Sequence, residues 1–346
     1  MKIALLAPFE ETVPPVKYGG IELVVYSLAE ELKKMGQDVT LLASGDSHTS
    51  TKLAKCVPKA IRTLKQARNQ RTRVALNYQG VARAIEIINE GDFDIVHNHL
   101  GWEPLLFKNS INSPLVTTLH GTLADPTEKL MYDQYKESTF ISISDSQRRH
   151  GPSLNYVATV HNGIDVGSFD YSDKPGDYLA FLGRISPEKG PAYAIEIAKK
   201  TGQRLVIAAK IDPLDEQYFD AFIEPLVDGE QISFIGEIGH KAKVELLKNA
   251  RALLSPSQWD EPFGLVNIEA MACGTPVVAI NRGSMPEIII NNKTGYLCSN
   301  IDEMIDSIDR IDMINRFDCR KHVEENFSSG LMAERYLKVY NQLVTS

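Results

Sequence analysis

The densest chemistry lies in the run Asp260-Glu-Pro-Phe-Gly-Leu-Val-Asn-Ile-Glu-Ala-Met-Ala-Cys-Gly-Thr-Pro-Val-Val-Ala279. Pro262 and Gly264 mark a helix entrance and Gly274 its end. The amides of Phe263, Gly264 and Leu265 fall at that entrance, where N–H groups without a helical partner suit a hydroxyl or an anion. Glu261 precedes the helix and Glu269 lies inside it, about 7 Å along the axis from Gly264. Two carboxylates so placed can grip different parts of one elongated ligand, such as a sugar and a ribose. Taken alone, the spacing favours a plainer reading, one surface glutamate and one that stabilises the helix dipole.

Cations suited to phosphate stand in Gly183-Arg-Ile-Ser-Pro-Glu-Lys-Gly190. Arg184 offers a planar fork of donors and Lys189 a compact ammonium. The Ser-Pro-Glu turn between them lets both reach one site at a strand's carboxyl end. No GxxxxGK[ST] motif occurs, so this is not a Walker loop. Gly19-Gly20 leads into a helix and offers amides and a dipole to a phosphate. The fingerprint GxGxxG is missing there, which speaks against a dehydrogenase. His120 ends a strand ahead of Gly121, while His97 and His99 alternate on another and can face one side. Metal ligation by these two is the weaker reading; polar residues at a strand end is the stronger.

The elements that must carry these residues alternate along the chain. Apolar runs at residues 2–7 and 39–43 flank a helix over 21–35, a strand–helix–strand unit. Further strands are expected at 94–97, 115–119 and 140–144, with a helix over 81–89. A polar stretch with Pro175 and Gly176 follows Asn162-Gly-Ile-Asp165, and the domain boundary falls there. The alternation then restarts, with strands at 178–182, 205–209, 232–235, 252–255 and 276–280. Helices are expected at 192–200, 241–249 and 264–272, with a helical run from Met304 onward. The pattern is α/β: two Rossmann-like, doubly wound domains with parallel sheets, ligands at the carboxyl ends of the strands, and a cleft where the domains face. The expected domains are residues 1–165 and 166–328.

Composition bounds the rest. At 346 residues, 43% hydrophobic and 24% charged, the chain suits two globular domains and excludes disordered and coiled-coil classes. No apolar run approaches the ~18 residues of a membrane span, and no secretory signal is read. Cys56, Cys273, Cys298 and Cys319 are scattered without a CxxC pair, which favours a reduced cytosol. The net charge of −8 divides into +1 over residues 1–163 and −9 over the remainder, so neither half is a basic nucleic-acid-binding domain. One local exception is the basic series Lys52, Lys55, Lys59, Arg62, Lys65, Arg68, Arg71 and Arg73. Much of its spacing suits one face of a helix broken by Pro58. Such a face suggests an anionic partner, a phospholipid surface or a polyprenyl-diphosphate-linked glycan.

Taken together, the 260–279 block, the 183–190 loop, Tyr18-Gly-Gly-Ile-Glu22, His120-Gly-Thr122, Asn162-Gly-Ile-Asp165 and Gly283-Ser-Met-Pro-Glu287 resemble the retaining glycosyltransferases of the GT-4 type, which have the GT-B fold. The resemblance covers roughly residues 1–327. It implies transfer of a sugar, a hexose such as glucose, from a nucleoside-diphosphate sugar, expected to be UDP-linked, to a glycan, lipid-linked or small-molecule acceptor. It also implies that residues 329–346 form a helix that packs back on the first domain. The catalytic residues it implies are His120, Arg184, Lys189 and Glu261. Gly19, Gly20, Gly236, Phe263, Gly264, Leu265 and Glu269 would bind the donor, with Gly236 near the uracil and Glu269 on the ribose. Glu22, His97 and His99 would lie on the acceptor side. No metal or other cofactor is expected. The reading places the chain in the cytoplasm, free or peripheral at the inner face of the membrane. A nucleotide-sugar epimerase on the same fold and a non-catalytic sugar-nucleotide-binding protein are the alternatives.

Overall fold

The computed structural model describes residues 1–345 and divides the chain into two compact units. One comprises Met1–Gly163 with the segment that begins at Ser329; the other is Ile164–Ser328.

The first unit is built on a seven-stranded sheet of order β3-β2-β1-β4-β5-β6-β7, parallel throughout. Its strands are β1 (Lys2–Leu6), β2 (Asp38–Ser44), β3 (Lys52–Val57), β4 (Ile95–Asn98), β5 (Leu115–Thr118), β6 (Thr139–Ser142) and β7 (Tyr156–Thr159). Ile3, Ala4, Leu5 and Leu6 of β1 are all fully buried, as a central strand covered on both faces must be. Ala4, Leu6 and Leu42 pack with Phe9, Val57 and the inner face of the helix Gln70–Glu90. Asn69 caps that helix, its side chain accepting from the Thr72 amide at 3.1 Å. The helices Gly20–Lys34 and Ser329–Thr345 pack against one another.

The basic series is not a helical face. Residues 52–57 form the edge strand β3, and Ile61–Thr63 and Lys65–Arg68 are short 3-10 turns. Lys52 pairs with Asp38, Arg62 with Glu11 and Arg73 with Glu10. Lys59, Lys65, Arg68 and Arg71 are exposed.

The second unit carries a six-stranded parallel sheet of order β10-β9-β8-β11-β12-β13. The strands are β8 (Tyr178–Ile185), β9 (Arg204–Ile211), β10 (Ile232–Gly236), β11 (Ala252–Ser255), β12 (Val277–Ile280) and β13 (Gly295–Cys298). In each sheet the strand order reverses once, between β1 and β4 and between β8 and β11. Loops leave the sheet there in opposite directions and open a crevice at the carboxyl ends of those strands. All four cysteines are buried and unbridged.

Candidate active site

In the second unit the crevice is walled by the turn after β8 and the loop after β11. Arg184 is the next-to-last residue of β8. The turn Pro187–Lys189 follows, and Gly190 starts the helix Pro191–Thr201. Lys189 Nζ donates to both carboxylate oxygens of Glu261, at 2.8 and 2.6 Å. Trp259 completes this group: its indole Nε1 donates to Glu261 Oε2 at 3.1 Å, and the Lys189 ammonium lies 5.1 Å from its ring centroid. Arg184 bonds Glu188 through Nη2, and its Nε lies 3.9 Å from Asp215. Burial pushes the Glu188 carboxyl up, but hydrogen bonds, Arg184's among them, outweigh it and hold the group below its usual range.

Behind Glu261 the chain enters the helix Leu265–Ala272 through Gly264. Gly264 has φ +88°, and a Cβ there would meet Asn267 Nδ2 at 2.6 Å, so glycine is required. Phe263 is buried and its carbonyl accepts from Ser284 Oγ at 2.6 Å, which fixes the loop; Leu265 is half-buried. Glu269 is 3% exposed and hydrogen-bonded by Lys243 of the helix His240–Lys248. Each glutamate of the block thus has its own lysine. Gly236 closes β10 with φ +71°, just ahead of the helix that supplies Lys243.

In the first unit the reversal lies between β1 and β4. Gly19 is the N-cap of the helix Gly20–Lys34 at φ +146°, and a Cβ would stand 2.6 Å from Pro15 Cβ. Glu22, in the first turn, is buried. Burial first, with Glu11 and Glu10 adding repulsion, raises its carboxyl to about 7 against a hydrogen bond from its own backbone and the nearby Arg62.

His97 lies on β4, His99 just beyond it, and His120 two residues past β5. His99 Nδ1 is 2.8 Å from His120 Nε2, and His99 Nε2 is 3.1 Å from His97 Nδ1. Burial lowers all three, His97 and His99 well below the usual range and His120 to about 3, so they are neutral near pH 7. The three rings are joined in series, with His97 also bonded to Thr118 and Tyr340, and their nitrogens do not converge on a point. Among the described residues no group of three or more His, Cys, Asp or Glu is arranged to hold a metal ion. His97 and His99 are 0% and 1% exposed, so they back His120 rather than line an open acceptor surface.

Lys243, Trp259 and Gln147 escaped the sequence reading. Gln147 donates to the carbonyls of Leu119 and Gly121, at 2.9 and 2.8 Å, and so clamps the backbone on both sides of His120. Asp145-Ser-Gln147 directly after β6 was the available signal.

Two parallel α/β units with polar groups at the carboxyl ends of their strands define a protein of the GT-B fold class. Two family models match in succession, Glycosyltransferase Family 4 over residues 18–168 and Glycosyl transferases group 1 over residues 171–324. The chain belongs to the family 4 glycosyltransferases. It is 27% identical over 323 residues to a phosphatidyl-myo-inositol mannosyltransferase of Mycolicibacterium smegmatis, covering 86% of this chain and 80% of that one. Among solved structures, AviGT4, a glycosyltransferase involved in avilamycin A biosynthesis, matches 100% of this chain and 98% of its own, with TM-score 0.75 and 25% identity. HepE of Anabaena, solved with UDP and glucose, shares the fold at TM-score 0.76 and 18% identity, over 99% of this chain and 100% of its own. Among the described residues no helix is long and apolar enough to cross a membrane.

Proposed function

We propose that this glycosyltransferase takes a hexosyl group from a UDP-sugar and transfers it, with retention of anomeric configuration, to a glycan or lipid-linked acceptor. The observation that carries the reading is the placement of Arg184 and Lys189 at the carboxyl end of β8, beside the loop that holds Glu261. A leaving diphosphate gains negative charge as the anomeric bond breaks, and preorganised cations stabilise that charge more than the ground state. Lys189 exchanges Glu261 for a phosphate oxygen, and the released carboxylate accepts from a sugar hydroxyl. Glu269, held by Lys243, accepts from the ribose hydroxyls. In the first unit, His120 hydrogen-bonds a sugar hydroxyl and the Gly19-Gly20 turn meets phosphate. The departing phosphate takes the acceptor's proton as the new bond forms on the same face. HepE, which binds UDP and glucose, supports the donor class. The mannosyltransferase, whose name carries a phosphatidyl-inositol acceptor, supports a lipid-linked one.

The test is release of nucleoside diphosphate from UDP-, GDP- and ADP-sugars, with and without lipid-linked and glycan acceptors, followed by NMR of the product's anomeric coupling. Turnover only with a GDP- or ADP-sugar would replace the UDP assignment, and an inverted product would overturn retention. A C2 epimer formed without acceptor would make the protein an epimerase.

A further inference from the structure

Behind His120 stands a closed series of polar side chains that the proposed reaction does not use. His97 Nε2 is 2.7 Å from Thr118 Oγ1, and Thr118 donates to the Tyr336 hydroxyl at 3.2 Å. The Tyr340 hydroxyl is 2.5 Å from His97 Nδ1. Both tyrosines belong to the helix Ser329–Thr345 and are fully buried, as are His97 and Thr118 to within 1%. His120 is the one member that is partly exposed, and its Nδ1 has no hydrogen-bond partner among the described residues.

Proton counting gives this series a direction. A threonine hydroxyl has one proton, and Thr118 commits it to Tyr336. The contact at His97 Nε2 is therefore an N–H donating to Thr118 Oγ1. A neutral imidazole carries one N–H, so His97 Nδ1 is a bare acceptor. Its single lone pair is shared by the Tyr340 hydroxyl and the Nε2–H of His99. With its proton on Nε2, His99 accepts at Nδ1 from the Nε2–H of His120.

We propose that Tyr336 and Tyr340 are positioning residues which, through Thr118, His97 and His99, fix His120 as the Nε2–H tautomer and leave its Nδ1 as a hydrogen-bond acceptor for a substrate hydroxyl. The functional half of this inference rests on the reading that His120 touches the sugar; the tautomer does not. Of the two roles open to a neutral imidazole the series selects one, so the substrate hydroxyl must donate. Tyr336 is the residue that sets the direction. Without its hydroxyl, Thr118 is free to donate to His97 Nε2, and each proton along the series can reverse.

The experiment is long-range nitrogen–proton NMR of the histidine rings in the full chain, comparing wild type with Tyr336→Phe. The expected result is an Nε2–H tautomer for His120 in wild type and a mixed or Nδ1–H tautomer in the variant. Thr118→Val should release the tautomer as Tyr336→Phe does, and Thr118→Ser should preserve it; this pair serves if the tyrosine variant fails to fold. A wild-type His120 with its proton on Nδ1, or a tautomer unchanged in both Tyr336→Phe and Thr118→Val, overturns the proposal. Donor turnover is then measured on the same samples, where loss of one directed hydrogen bond predicts an about tenfold lower kcat with little change in KM. A released tautomer with unchanged turnover leaves the relay standing and removes His120 from the substrate.

Discussion

The Lys189 ammonium lies 2.6 Å from Glu261 Oε2, so the turn after β8 and the loop after β11 are tied by one ion pair across the sheet's point of reversal. Both groups are mostly shielded from water, at 23% and 15% exposure. Each neutralises the other at the place where the proposed donor needs a cation and an acceptor.

Lys189→Ala and Arg184→Ala are expected to abolish most transfer while the fold survives, since neither contributes core. The loss of one phosphate contact should cost about 2–4 kcal/mol at the transition state, a roughly 30- to 1000-fold lower kcat. Steady-state kinetics with thermal melts as control check it; wild-type turnover in both variants would remove the diphosphate assignment.

Glu269→Ala is expected to affect two things at once. It removes the ribose acceptor and leaves the ammonium of Lys243 unpaired in a shielded site. Removing one partner of a buried pair costs about 3 kcal/mol of stability. Glu269→Gln combined with Lys243→Met relieves that cost without restoring the charged acceptor. Calorimetric titration with UDP then isolates binding: affinity equal to wild type in the double variant would assign Glu269 to the fold alone.

The buried histidines make stability depend on pH with a definite sign. Unfolded histidine titrates near 6.5, whereas His120 in the folded chain titrates near 3 and His97 and His99 are also strongly depressed. Below 6.5 the unfolded chain therefore binds more protons, and stability falls with falling pH by about 1.4 kcal/mol per unit for each such group. Glu22 runs the other way. Its folded value is about 7 against 4.5 unfolded, so in that interval the folded chain holds the extra proton and stability rises with falling pH. Urea midpoints should fall as the pH is lowered from 6.5 to 4.5, because three histidines outweigh one glutamate, and fall more steeply below 4.5, where Glu22 no longer opposes them. Glu22→Gln should steepen the upper interval, and an unaltered profile in that variant would contradict the buried, protonated Glu22.

Lys59, Lys65, Arg68 and Arg71 are exposed on the first unit, and any attachment they give to an anionic lipid surface must be salt-sensitive. Co-sedimentation with vesicles containing anionic lipid is expected at low salt and lost at high salt, and lost again when all four become serine. Binding indifferent to salt and to the substitutions would leave these residues as ordinary surface charge.

The parallel sheets and the glutamate block were legible because their signals are local. Continuous apolar runs such as Ile3–Leu6 mark central strands wherever they occur, and Pro262 and Gly264 punctuate a helix start. Of the four edge strands, β3 and β13 were not. β3 spaces Lys52 and Lys55 along an exposed edge, a pattern that a helix face produces equally well, and Gly295–Cys298 is only four residues long. Lys243 was invisible for another reason. Its partner Glu269 lies 26 positions away on a different helix, and nothing in the surroundings of either residue names the other. The histidine series shows the same limit more sharply, since His97 and Tyr340 meet across 243 positions.

That last separation bears on how the chain is made. The second unit is continuous, Ile164–Ser328, whereas the first is completed by a helix that begins at Ser329. During synthesis the half that emerges first is expected to wait for Tyr336 and Tyr340 until the ribosome has produced the other half. The later half has every residue it needs before that helix exists. The order of folding is thus expected to invert the order of translation. A chain stopped at residue 328 should yield a protease-resistant second unit beside a readily cleaved first one, and the separately supplied terminal helix should restore the protection.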